Sequence, residues 1–140
     1  MVRDSSVISQ IFQGQLRSEL RCHACDTLSV SYSTFSTLSA PVPGEAGSSP
    51  TPVHLNDCLH EFSRPHVLDG DNGWQCPECT VTRDATKTMA ITKFPSVFIV
   101  HLMRFSFDGH AWNKIDQLVE FPVRPPSITT CLPRGTITAD

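Results

Sequence analysis

The fold is decided by Cys22-His23-Ala24-Cys25 and Cys76-Pro77-Glu78-Cys79, two stretches of a 140-residue chain. Each stretch places two cysteines three positions apart, so that one tight turn can present both sulfurs to the same ion. Four thiolates are the complete ligand set of a closed, tetrahedral structural Zn²⁺ site. The sequence therefore predicts a zinc ribbon with Cys22, Cys25, Cys76 and Cys79 as ligands, although 50 residues separate the two pairs.

Two other interpretations of these cysteines stay open at this point. A thioredoxin-like redox pair would need one such motif beside a βαβ unit, and the thiols could also be incidental buried residues. His23, inside the first pair, could compete as a ligand. If zinc binds, its free energy of roughly 10 to 16 kcal/mol compares with a whole-domain stability of about 5 to 15 kcal/mol. Loss of the metal should then unfold this region.

Composition and charge narrow the class of protein. Hydrophobic residues make up 39% and charged residues 18%, and 11 Lys and Arg against 14 Asp and Glu give a net charge of −3. This balance argues against a disordered polyelectrolyte and against a nucleic-acid partner, which needs a basic face. The longest apolar run, from Val97 to Val100, is far short of the about 20 residues of a membrane span. With no signal-peptide pattern near Met1, we expect a soluble protein of a reducing compartment, cytoplasmic or nuclear.

Hydrophobic periodicity predicts the elements around the first cysteine pair. A short helical face covers residues 7–12 and stops near Gly14. Apolar and polar residues alternate from residue 15 to Cys22, and again from Leu28 to Tyr32, which predicts two strands joined as a hairpin. Leu55, Cys58, Leu59 and Phe62 predict an amphipathic helix that begins near Thr51 and Pro52.

The second half of the chain is predicted to be mostly strand. Residues 86–93 alternate, the run from Val97 to Phe105 suits a strand buried on both faces, and Asp108-Gly109 marks a hairpin. A last strand ends at Pro122. The Pro-, Gly- and Ser-rich residues 41–52 predict a flexible loop, and residues 124–140 a loose tail. The predicted fold class is α+β, mostly antiparallel β.

The sequence gives less support for a functional role of the other cysteines and histidines. His54 and Cys58 lie four apart on the predicted helix, but Cys58 belongs to the apolar stripe, so we expect a buried, inert thiol. His101 lies within the predicted buried strand and is expected to be a hydrogen-bonded core histidine. Cys131 has no assigned role. The chain has no zincin, nucleophile-elbow or phosphate-loop motif.

A series of motifs, in this order along the chain, together resembles the ubiquitin-specific protease family of cysteine deubiquitinases. They are Phe12-Gln13-Gly14-Gln15-Leu16, the two cysteine pairs, Phe35 with Leu38-Ser39-Ala40-Pro41-Val42-Pro43, Asp57-Cys58-Leu59, Leu68-Asp69-Gly70-Asp71-Asn72, Phe94-Pro95, His101-Leu102-Met103-Arg104-Phe105-Ser106 and Val119-Glu120-Phe121-Pro122. The resemblance implies that residues 1–123 form part of a papain-like catalytic domain. Zinc-bearing fingers would occupy residues 15–92 and a partial palm residues 93–123. It also implies ubiquitin or ubiquitinated proteins as partners and the four cysteines as zinc ligands.

The departures from the family pattern matter for activity. The boxes that carry the family's nucleophilic cysteine and general-base histidine have no counterpart here, so no catalytic residue is predicted and the chain alone should not cleave. Ser33 and Thr37 stand where the family often has acidic residues, and Met103 where it usually has lysine. The main hypothesis is a fragment of a cysteine-type deubiquitinase. The alternatives are a non-catalytic zinc-ribbon module that binds ubiquitin or another protein, and a product without function.

Overall fold

The computed structural model describes residues 6–44, 51–107 and 109–122, and it contains two short helices among many strands. The elements in chain order are α1 (Val7–Phe12), β1 (Gly14–Cys22), β2 (Leu28–Phe35), β3 (Thr37–Pro41), β4 (Val53–His54), α2 (Leu55–Phe62), β5 (His66–Leu68), a 3-10 turn (Gly70–Asn72), β6 (Trp74–Gln75), β7 (Thr82–Arg83), β8 (Ala85–Lys93), β9 (Ile99–Met103), β10 (Phe105–Phe107), β11 (Trp112–Lys114) and β12 (Val119–Glu120). The predicted fold class, α+β with mostly antiparallel strands, is confirmed. In the described part of the chain, neither helix is long and apolar enough to cross a membrane.

The largest unit is a four-stranded antiparallel sheet in the order β2-β1-β8-β5. The strand predicted to run into Cys22 is β1, and the strand predicted to leave the first cysteine pair is β2, so the predicted hairpin is confirmed. On its other side β1 pairs with β8, with Leu20 opposite Lys87 and Cys22 opposite Ala85. This second pairing brings the start of β8 to the cysteine end of β1.

The first hydrophobic core lies at the other end of this sheet. Its buried members are Leu16, Leu38, Leu59 and Ile91, contributed by β1, β3, α2 and β8. Three phenylalanines extend it, since the Phe98 ring packs edge-on against Phe35 and Phe94, with centroids 6.2 and 5.4 Å apart. Leu59 comes from the apolar stripe predicted for α2, which places that helix over the sheet.

The start of α2 differs from the prediction. The helix begins at Leu55, after the two-residue strand β4, rather than near Thr51 and Pro52. The His54 amide donates a hydrogen bond to Asp57 Oδ2 at 2.9 Å, which caps the first turn. A capping interaction with an acidic side chain outweighs the turn preference of proline here.

A second core joins elements that are distant in sequence. Ala40, Val42, Cys58, Ile115 and Val119 are buried together. Two parallel pairs, β3 with β9 and β4 with β12, assemble this region, and the sequence analysis did not foresee either of them. The Arg104 guanidinium closes it by donating to the carbonyls of Gln117 and Ile115, at 2.7 and 3.3 Å.

The run from Val97 to Phe105 is not the doubly buried strand that was predicted. β9 alternates half-buried Val100 and Leu102 with exposed Ile99, His101 and Met103. Only one face of the strand packs on the second core, so hydrophobic side chains on the other face stay exposed. His101 is therefore not a core histidine; its Nδ1 lies 3.5 Å from the Ser39 hydroxyl on the neighbouring strand.

Shortening Leu38 should destabilise the chain strongly. Leu38 is 2% exposed and links β3 to the first core. Leu38→Ala removes buried methyl groups and leaves a cavity, so we expect urea unfolding to give a free energy of unfolding lower by about 2 to 5 kcal/mol. Leu118→Ala makes the same chemical change at a residue that is 60% exposed and should alter stability by less than about 0.5 kcal/mol. Equal losses in the two variants would show that Leu38 is not part of the core.

Candidate metal centre

The first cysteine pair lies in a tight turn, here named the first knuckle (residues 22–27), where β1 ends. The Cys22 amide donates to the Thr27 carbonyl at 3.0 Å, and the Asp26 amide donates to the Cys22 carbonyl at 3.1 Å. Asp26 has φ of 61°, in the left-handed region. These bonds fold the backbone around the space that Cys22 and Cys25 share.

The second pair lies in a turn with the same hydrogen bonds, the second knuckle (residues 76–81). The Cys76 amide donates to the Val81 carbonyl at 3.2 Å, and the Thr80 amide donates to the Cys76 carbonyl at 2.9 Å. Thr80, directly after the second cysteine, has φ of 57°. The two knuckles therefore share one backbone conformation, with the same two hydrogen bonds and one left-handed residue each.

The sheet brings the two knuckles together. β1 leads into the first knuckle, and β8 begins just after the second one and pairs with β1. The His23 amide donates to the Asp84 carbonyl at 3.0 Å, which extends the β1–β8 contact beyond the strands. The short β6–β7 hairpin holds the second knuckle, with Gln75 opposite Thr82. Strand pairing therefore bridges the long separation in sequence.

The four sulfurs converge. Cys22 Sγ lies 4.0 Å from Cys79 Sγ, and Cys25 Sγ lies 3.6 Å from Cys76 Sγ. All four sulfurs lie within 4.8 Å of one another. A tetrahedral ion with Zn–S bonds of ~2.3 Å would set sulfur–sulfur edges of about 3.8 Å, whereas a disulfide needs ~2.05 Å. The cysteines are free, and their spacing fits one ion bound by all four.

Hydrogen bonds shift the pKa values of two of the thiols, Cys25 and Cys79, in opposite directions. The hydrogen bond between the Thr27 hydroxyl and Cys25 Sγ, 3.1 Å apart, is the main cause that lowers the pKa of Cys25 to about 6. The hydrogen bond with Cys25 is the main cause that raises the pKa of Cys79 to about 12. A cation at the centre of the cluster would stabilise all four sulfurs as thiolates.

The structure also shows where the other candidate ligands and reactive residues lie. The His23 ring lies against β8, with Nε2 2.8 Å from the Thr86 hydroxyl, and His23 is not one of the four members of the sulfur cluster. Cys58 is fully buried in the second core, where burial raises its pKa, as expected for an inert thiol. His54 Nδ1 instead lies 3.6 Å from Glu120 Oε2. Cys131 lies outside the described residues.

The arrangement limits what the cluster can do chemically. Four cysteine ligands complete a tetrahedral shell and leave no position for a substrate or a water. Two of the four, Cys22 and Cys76, are fully buried. The four cysteines could therefore hold one metal ion, and a closed shell of this kind suits a structural role rather than a catalytic one.

Comparisons with known proteins place the chain in one family. The family profile described as "Ubiquitin carboxyl-terminal hydrolase" matches residues 1–133. Ubiquitin carboxyl-terminal hydrolase 4 of Vanderwaltozyma polyspora is 38% identical over 122 residues, which are 87% of this chain and 13% of that protein. Ubiquitin carboxyl-terminal hydrolase Usp2 of Drosophila melanogaster is 39% identical over 119 residues, which are 85% of this chain and 12% of that protein.

A solved structure supports the fold. The chain superposes with a TM-score of 0.67 and 28% identity on a chain in the "Structure of the SAGA Ubp8/Sgf11/Sus1/Sgf73 DUB module bound to ubiquitin aldehyde". The match covers 86% of this chain and 25% of that one.

Fold, cysteine cluster and relatives define a β module of the deubiquitinase class. The chain belongs to the ubiquitin-specific proteases, the ubiquitin carboxyl-terminal hydrolase family, so the predicted resemblance is confirmed. It spans about an eighth of the length of the curated relatives that it matches.

Replacing Thr80 by glycine should stabilise the second knuckle, because Thr80 has a left-handed backbone conformation that glycine adopts without strain. A β-branched residue in this region is disfavoured, and glycine adopts it freely. Thr80→Gly should therefore raise the free energy of unfolding by about 1 kcal/mol, measured by urea unfolding of the metal-loaded chain. Thr82→Gly removes the same side chain from extended strand β7 and should lower it by a similar amount. Destabilisation by both changes would contradict the backbone assignment at Thr80.

Proposed function

We propose that this chain supplies the zinc-stabilised, ubiquitin-gripping fingers and part of the palm of a larger cysteine-type deubiquitinase, and that it cannot cleave by itself. The observation that carries the proposal is the meeting of four free sulfurs within 4.8 Å at one end of a four-stranded sheet, in a chain of this family. The parent enzyme would hydrolyse the isopeptide bond after the ubiquitin C-terminus. The partial coverage of the relatives supports a fragment.

The described fold supports the proposed division of residues 1–123. The sheet β2-β1-β8-β5 and the knuckles lie within residues 14–93, one residue beyond the proposed fingers (15–92) at each end. Strands β9 to β12 lie within residues 93–123, the proposed partial palm. The second hydrophobic core joins these parts, because it buries Cys58 of α2 together with Ile115 and Val119.

Zinc is the metal that the ligands favour. Soft thiolates select Zn²⁺ over hard cations such as Mg²⁺ and Ca²⁺, and four of them form a closed tetrahedral shell. Free thiols persist in a reducing compartment, which agrees with a protein of the cytoplasm or nucleus. The bound ion would fix the two knuckles together and so set the shape of the fingers.

The chemistry of Cys58, the cysteine outside the cluster that the structure describes, supports inactivity. Thiol attack needs a thiolate with a base within hydrogen-bond reach. Cys58 is fully buried, and burial is the main cause that raises its pKa, so its thiolate is disfavoured at neutral pH. The four clustered cysteines are committed to the proposed ion. A ubiquitin-based thiol-reactive probe should therefore leave the chain unlabelled, and labelling of Cys58 or Cys131 would overturn the inactivity proposal.

Metal analysis tests the proposed ion. The chain purified without chelator should contain about one zinc, because one tetrahedral ion uses all four sulfurs. Cys76→Ser removes a buried ligand and should lose the metal, whereas Cys131→Ser also removes one thiol and should keep it. Mass spectrometry under native conditions gives the stoichiometry. Purification of the unchanged, folded chain without any metal would refute the zinc proposal.

Ubiquitin binding tests the proposed fingers. Thr37 is exposed at the start of β3 and stands where the family often has an acidic residue. If this surface contacts ubiquitin as in the family, Thr37→Asp should strengthen binding at least severalfold, measured by NMR titration with labelled ubiquitin. Ser36→Asp adds the same charge one residue earlier and is the matched control. An unchanged ubiquitin spectrum with the unmodified chain and with both variants would reject the gripping role.

A further inference from the structure

The four clustered cysteines differ in their access to solvent. Cys22 and Cys76 are 0% exposed and Cys79 is half-buried, whereas Cys25 is exposed. The exposed cysteine belongs to the first knuckle, and its sulfur lies 3.6 Å from the sulfur of buried Cys76 in the second. A small oxidant from solvent therefore meets Cys25 first, with a partner sulfur close behind it.

We propose that Cys25 is a peroxide-sensitive modification site, and that its oxidation forms a reversible disulfide with Cys76 that releases the metal and keeps the two knuckles joined. This inference rests on the proposed metal site. A cysteine ligand that is reachable and has a resolving cysteine beside it is suited to reversible oxidation, because the disulfide protects it from irreversible overoxidation.

The chemistry balances with hydrogen peroxide as the oxidant. The Cys25 thiolate attacks one peroxide oxygen, the O–O bond breaks, and a sulfenic acid and a hydroxide form. The Cys76 thiolate then attacks the Cys25 sulfur, the S–O bond breaks, and a second hydroxide leaves. Two protons convert the hydroxides to water. The two sulfurs have lost two electrons, the peroxide has gained them, and the ion has lost two of its four ligands.

The pairing between knuckles determines what oxidation does to the fold. The sulfurs must approach from 3.6 Å to ~2.05 Å, a shift that two surface turns can make. The new bond would close a loop across the 50 residues between the two cysteines, and closure of a long loop restricts the unfolded chain. The disulfide would thus substitute for the ion as the link between β1 and β8. A bond between Cys22 and Cys25 would close only one knuckle and provide no such link.

The chain contains convenient cleavage sites for locating the disulfide. Cleavage after glutamate gives residues 20–45 with Cys22 and Cys25, residues 46–61 with Cys58, residues 62–78 with Cys76, and residues 79–120 with Cys79. Glu78 thus separates the two cysteines of the second knuckle. The zinc-loaded chain is treated with one equivalent of hydrogen peroxide, released zinc is followed with a chromophoric chelator, and the non-reduced digest is analysed by mass spectrometry.

We expect about one zinc released per disulfide, with residues 20–45 joined to 62–78 through Cys25, and rebinding of zinc after dithiothreitol. Hydrogen exchange in β1 and β8 should stay slow in the oxidised chain, and Cys131→Ser should behave identically. A first disulfide between Cys22 and Cys25, a link to residues 79–120, or irreversible oxidation of Cys25 would overturn the proposal. Because Cys25→Ser could impair folding, the test of the proposal is the position of the disulfide in the unsubstituted chain.

The experiment distinguishes failure of the redox proposal from failure of the proposed metal site. If the purified chain holds no zinc, the metal proposal fails, and the same digest of the metal-free chain still shows whether peroxide joins Cys25 to Cys76. If zinc is bound but peroxide neither releases it nor forms this disulfide, the redox inference fails alone.

Discussion

The antiparallel pairing of β1 with β8 is the interaction on which the rest of the structure depends. It sets Cys22 opposite Ala85 and so fixes where the second knuckle lies relative to the first. It also carries Leu16 and Ile91 into the first core at the opposite end of the same two strands. One strand pair therefore connects a hydrophobic core with a sulfur cluster, and a shift of register by one residue would misplace both, because alternate side chains would change faces.

Much of this arrangement could be predicted because the signals are local. The alternation of apolar and polar residues predicted strands β1, β2 and β8, and the apolar stripe predicted helix α2. The spacing of the cysteines predicted which four residues form the cluster. The parallel pairs β3–β9 and β4–β12 could not be predicted, because they join segments about 60 residues apart and local periodicity carries no information on strand partners. The left-handed residues Asp26 and Thr80 were also missed, since neither is the glycine that usually marks such a turn.

The prediction for β9 was wrong because hydrophobicity alone does not show which faces of a strand other elements cover. A run such as Val97 to Phe105 is typical of a strand covered on both faces, yet Ile99, Met103 and Phe105 are 42 to 62% exposed. Phe107 and Trp112 stack with ring centroids 5.3 Å apart and are also largely exposed. Exposed large apolar side chains of this kind are typical of interaction surfaces.

The end of the sheet that carries the knuckles has few buried apolar side chains to stabilise it, which favours the proposed metal. Around the knuckles, the fully buried members of the described core are Cys22, Cys76 and Ala85, all small residues. Burial of such side chains contributes only a few kcal/mol, whereas fixing two turns of six residues each costs about 1 to 2 kcal/mol per residue in backbone entropy. Binding of a structural zinc ion is worth roughly 10 to 16 kcal/mol and can offset this deficit. The hydrophobic cores stabilise one end of the β1–β8 pair, and coordination of the proposed ion by four sulfurs would be strong enough to stabilise the other.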